Sequence, residues 1–197
     1  ARLDMAVEED EKPGLSSPCG EYGLGPKDAC IFMEWFGDFE GPFDRNFYDR
    51  TLPSILQNYG SNICLEYKHF HLSFFLNSQK AGEASECAKS QGRFWDYHAI
   101  LFERQVEWKS DSGVSVEEAV SFFKQYAQQL GLNSSLFGDC LDSGTRASRL
   151  EMDYQEGANR GVQAVPTFFI NDSQVVGAQP YFVFEEVINT ELENCPP

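Results

Sequence analysis

Six cysteines occur in the sequence, yet no two stand as a C-x-x-C pair, so neither a zinc ribbon nor a local redox motif has a basis here. Basic residues are scarce as well. Lys and Arg total 15 against 31 Asp and Glu, a formal net charge of -16. Nucleic acid and anionic membrane both demand Lys/Arg contacts to phosphate, so neither is expected as a partner. No apolar run approaches the roughly 18 to 20 residues that cross a bilayer, so no membrane span is expected. No signal-peptide hydrophobic region is evident either, and the chain starts at Ala1 rather than Met, as expected of a processed or trimmed N-terminus.

What is present suits a real core. The chain has 197 residues, 42% of them hydrophobic and 14% aromatic, enough for one domain or for one domain with a large insertion. Cys19, Cys30, Cys64, Cys87, Cys140 and Cys195 are even in number and scattered, which predicts structural disulfides and an oxidising, extracytoplasmic compartment. Residues 1–25 hold an acidic run and several Pro, Gly and Ser, and are expected to form a loose N-terminal arm pinned at Cys19.

The stretch IFMEWFGDFEGPFDRNF organises the rest. Ile31 to Phe36 is an apolar run of strand length, broken at Gly37-Asp38. Gly41 then suits an N-cap, Pro42 the first helical position, and Asp44 the first turn, where a carboxylate meets the positive end of the helix dipole. That placement predicts an ionised, exposed Asp44 that Asn replaces at little cost. A helix over residues 44–57, bent at Pro53 and stopped by Gly60, leads to a strand over 62–70. Strand, helix, strand in about 40 residues makes the two strands parallel neighbours. From Asn77 the period is helical for about 85 residues, with a capping box at Ser115 to Glu118. The chain then returns to a hairpin, Thr167 to Gly177, and a last helix from Pro180.

The strings Phe36-Gly37-Asp38-Phe39-Glu40, E-C-A-K-S-Q-G-R-F-W-D-Y-H, C-L-D-S-G, Val165-Pro166-Thr167 and V-V-G-A-Q-P-Y together resemble the DsbA-like branch of the thioredoxin fold. The resemblance implies an α/β, thioredoxin-like fold with a helical insertion. It divides the chain into a thioredoxin-like part at 26–74 and 162–197 and an insertion at 75–161. In that family a Cys-Pro-x-Cys motif opens the first helix; here the same four positions read Gly41, Pro42, Phe43 and Asp44. Neither sulfur is present, and thiol-disulfide exchange needs a thiolate attacking a sulfur. The buried Glu that many relatives place six residues before the first cysteine is replaced by Trp35, while Glu34 is expected on the opposite face of the strand.

The resemblance also implies a cis-proline loop at Val165, Pro166 and Thr167 whose main chain binds an extended peptide. A catalytically degenerate protein that holds peptide, unfolded protein or a protein partner there is therefore expected, with no cofactor and no metal. The alternatives are a thiol-disulfide oxidoreductase using other cysteines and a structural or assembly protein. Asp38, Glu40, Asp44, His69 and His71 are placed near the C-terminal edge of the sheet, without any ligand spacing that defines a metal site. His98 reads as a half-buried helix residue. For the bridges, Cys87 with Cys140 is expected within the insertion, Cys30 with Cys64 at the starts of the adjacent strands, and Cys19 with Cys195 by remainder, out of 15 possible arrangements.

Overall fold

The computed structural model describes residues 19–20 and 22–195, so most of the expected N-terminal arm lies outside the described residues. Strand β1 (Ile31–Gly37) runs at the centre of a sheet. Its residues bury alternately on two faces. Trp35 packs on one side against Phe47, Tyr67, Phe102 and Phe168, while Glu34 turns to the other, where Arg160 reaches it at 2.7 Å.

After β1 the chain caps and enters α1 (Pro42–Arg50), then α2 (Leu52–Tyr59). The expected single bent helix is two helices. The break falls at Thr51, because the residue pair ahead of Pro53 is where the ring removes a backbone donor and crowds the preceding turn. Strand β2 (Ile63–His69) then pairs parallel to β1 in the register Ile31 with Ile63 through Gly37 with His69.

The helical insertion comprises α3 (Ser78–Lys89), α4 (Phe94–Glu103), the one-turn α5 (Gln105–Trp108), α6 (Val116–Gln129), α7 (Ser134–Ser143) and α8 (Ala147–Asn159). Both bonds of the Ser115 and Glu118 capping box form. The short α5, and a 3-10 turn at Ser110–Ser112 that follows it, lacked a sequence signal. Strands β3 (Thr167–Ile170) and β4 (Ser173–Val176) complete the sheet in the order β2-β1-β3-β4, and α9 (Tyr181–Glu193) packs back on β1 and β3.

Three disulfides tie the fold, and two of the expected pairings are corrected. Cys87 joins Cys140, linking α3 to α7 across a sequence separation of 53 residues, a closure worth roughly 4 kcal/mol in the chain-entropy account. Cys30, however, joins Cys195, and Cys19 joins Cys64. The reason is register. Cys64 lies opposite Phe32, which leaves Cys30 two residues further down the neighbouring strand, too far along for a bridge. The end of α9 reaches Cys30 instead, with Cα atoms 5.9 Å apart. Nor is the end of the arm loose: Leu24 exchanges backbone bonds of 2.8 and 2.9 Å with Leu65.

Candidate functional site

The carboxyl end of β1 delivers the chain into a short loop and then the N-terminus of α1, and the loop before β3 lies beside it. Gly41 caps α1 with extended backbone, and its N–H donates to Asp38 O at 3.0 Å. The Val165–Pro166 peptide bond is cis. Pro166 O accepts from Gly177 N–H at 2.7 Å, and the Thr167 hydroxyl donates to Ala164 O at 2.7 Å. Val165 is different: among the described residues, neither its N–H nor its C=O has a hydrogen-bond partner.

Gly41, Pro42, Phe43 and Val165 line one apolar groove of about 390 Å³ together with Leu72, Phe74, Phe75, Gln163 and Ala164. Phe43 is 65% exposed and Phe74 67% exposed. Phe43 and Phe74 thus leave an exposed apolar patch beside main-chain groups that have no partner among the described residues. Sequence reasoning missed the wall from Leu72 to Phe75. Its signal was an apolar F-F-L run between a strand and a helix, where neither period accounts for it.

Asp44 departs most from expectation. It is fully buried, its Oδ1 accepting from Trp35 Nε1 at 2.9 Å and its Oδ2 without a partner among the described residues. Burial pushes its carboxyl well above the ordinary range, the nearby Asp38 charge adds to this, and the Trp35 bond offsets only part. The expected ionised, exposed, helix-stabilising carboxylate is thus corrected to a buried group that favours its neutral form. It fits because two glycines give way: a β-carbon on Gly37 would stand 2.6 Å from Asp44 Oδ1, and one on Gly41 would collide with Asp44 Oδ2.

Asp38 and Glu40 act as struts. Asp38 accepts from Glu40 N–H at 2.8 Å, from Leu72 N–H at 2.7 Å and from the Ser78 hydroxyl. Burial still raises its pKa to about 6 against those bonds. Glu40 accepts from Asn77 N–H at 2.6 Å and Ser110 N–H at 2.5 Å. The two carboxylates therefore pin the groove wall to the α1 entry loop. His69 turns inward instead, its Nε2 3.2 Å from Glu86 Oε1, and His71 stands 5.5 Å from the Tyr154 ring. The five candidates do not converge, and among the described residues no group of three or more His, Cys, Asp and Glu could hold a metal ion.

His98 is buried rather than half-buried, ringed by Trp35, Phe39, Tyr67 and Phe102. Burial, with a contribution from His69, lowers its pKa to about 3. A folded-state value below the unfolded one of about 6.5 means that the native protein binds fewer protons in this window. Stability from neutral His98 is therefore lost as pH falls from 6.5 towards 3. A His98→Phe variant is expected to gain on the wild type over that interval, by roughly 1.4 kcal/mol for each unit of the shift. Urea unfolding at pH 7, 5 and 4 reads this directly; a pH-independent difference contradicts it.

This arrangement, a strand running into a capped helix opposite a cis-proline loop with a helical block inserted after β2, defines a thioredoxin-like protein of DsbA-like architecture. The sequence model of the family described as Thioredoxin matches residues 19–190, and the chain belongs to that family. It is 28% identical over 190 residues to disulfide bond formation protein D of Bacillus subtilis (strain 168), covering 93% of this chain and 82% of that protein. It is also 28% identical over 178 residues to the Na(+)/H(+) antiporter NhaA of Herminiimonas arsenicoxydans, covering 90% of this chain and 26% of the antiporter, so it spans about a quarter of that relative. Among solved structures, oxidised BdbD from Bacillus subtilis superposes with a TM-score of 0.75 at 24% identity, covering 87% of this chain and 92% of that one. Among the described residues no helix is long and apolar enough to cross a membrane.

Proposed function

We propose that this chain is a non-catalytic member of its family that holds an extended, apolar peptide segment, from unfolded protein or a protein partner, at the groove beside Val165. The observation that carries the reading is the unpaired Val165 backbone next to exposed Phe43 and Phe74. The redox half of the family site is replaced. Gly41 and Asp44 stand where the DsbA-like motif has its two cysteines, and all six cysteines are bridged elsewhere. Three disulfides support an extracytoplasmic setting, since such bridges persist where the environment oxidises.

A second reading is favoured by one observation, a Cys30–Cys195 bridge whose two residues are both partly exposed. That bridge lies at the opposite end of β1 from the groove, and neither of its cysteines is in an activating helix N-terminus. Insulin reduction in dithiothreitol distinguishes the two. The non-catalytic reading expects the rate of the reductant alone, and multiple turnovers per protein molecule defeat it.

A further inference from the structure

A second site lies on the free edge of β2, on the far side of β1 from the cis-proline loop. Ile31 N–H donates to Asn62 O and Phe70 N–H to Gly37 O, so the even-numbered residues of β2 aim their backbone groups at β1. The odd-numbered ones therefore face outward. Leu65 is paired there with Leu24, and His69 N–H donates to Asp153 Oδ2 at 3.2 Å. Between them Tyr67 is open: among the described residues nothing pairs with its N–H or C=O. Continuing the antiparallel register from Leu24 would bring Tyr22 opposite Tyr67. Tyr22 O instead accepts from Trp95 Nε1 at 2.8 Å.

This open rung forms the wall of a cavity of about 200 Å³ whose other walls include Lys68, Lys89, Arg149, Tyr22 and Phe94. Three cations gather there in a chain of net charge -16. Among the described residues one carboxylate shares the lining, Glu66, and it is engaged by Gly20 N–H at 2.6 Å. Lys68 is shared among Glu34, Glu66 and Glu156. Lys89 bonds Glu86 at 3.2 Å, and Arg149 gives one nitrogen to Asp153 at 2.6 Å, which leaves most of their N–H groups open. Lys89 also sits 5.1 Å from the Tyr22 ring centroid, which holds the ammonium at the mouth.

We propose that this cavity recognises a single carboxylate, which accepts from Tyr67 N–H between Lys89 and Arg149, with the group that bears it against Tyr22 and Phe94. A cavity of this size takes about one amino-acid residue, so the carboxylate comes either from a peptide C-terminus or from a small organic acid. The site is separate from the Val165 groove and stands or falls without it.

The test is a ¹⁵N NMR titration of the full chain with an acetylated Ala-Ala-Phe tripeptide bearing a free C-terminus, with its C-terminal amide, and with succinate. The free acid should shift the Tyr67 amide resonance while the amide form does not. Lys89→Glu and Arg149→Gln, each checked for native circular dichroism, should each weaken binding at least tenfold. Succinate binding as tightly as the tripeptide assigns the site to small acids, and tighter tripeptide binding assigns it to peptide ends. An unmoved Tyr67 amide, or equal binding of acid and amide tripeptides, overturns the proposal.

Discussion

Placing cysteine at both positions 41 and 44 should give the chain measurable insulin-reduction turnover, and neither single substitution should do so. Exchange needs an attacking thiolate and a resolving partner, and a cysteine at the N-cap of α1 gains from the positive end of the helix dipole. The singles fail for different reasons. Gly41→Cys forces a β-carbon into Asp44 Oδ2, so it is destabilised, and its lone thiol has nothing to resolve a mixed disulfide. Asp44→Cys places a thiol in a fully buried spot with no partner at 41. Because the second substitution removes the oxygen that obstructs the first, the double variant should be more stable than the sum of the singles predicts. Trp35 supplies no acid to assist proton transfer, so the recovered rate should stay below that of relatives carrying one. A folded double variant with both new thiols titratable and no turnover defeats this account.

Asp44→Asn should stabilise the protein at neutral and alkaline pH. A carboxyl whose folded-state pKa is raised above its unfolded value contributes stability that is complete below the unfolded pKa and is lost as pH rises through the folded one. The neutral amide keeps an oxygen for Trp35 Nε1 and carries no such pH dependence. The variant's advantage should therefore vanish near pH 4 and grow upward, by roughly 1.4 kcal/mol for every unit by which burial raises the carboxyl. Thermal melts at pH 4 and pH 8 measure it. Equal destabilisation at both pH values would show that Asp44 is ionised and holds a partner.

Much of the fold was legible because it rests on local signals. The apolar run of β1, the Gly41-Pro42 helix entry, the Ser115 capping box and the parallel pairing of β1 with β2 all follow from spacing and turn chemistry. Asp44 was misjudged for a physical reason. A first-turn carboxylate ordinarily faces water, and only the packing of Trp35 with the close approach of Gly37 and Gly41 encloses this one. The disulfides depended on register and on where α9 ends, neither of which a lone cysteine announces. The Tyr67 backbone groups, without a partner among the described residues, were equally hidden, since the partners of the β2 edge are set by where Leu24 and Asp153 fall and not by any property of Tyr67.

The groove itself is the most direct point of attack. An unfolded, cysteine-free apolar peptide added to ¹⁵N-labelled protein should shift the amide of Val165 along with the ring resonances of Phe43 and Phe74, and Phe74→Asp should weaken binding at least tenfold without changing the fold. Such a peptide leaving Val165 unmoved, or binding Phe74→Asp as tightly as the wild type, would contradict the assignment of this groove as the place where the protein works.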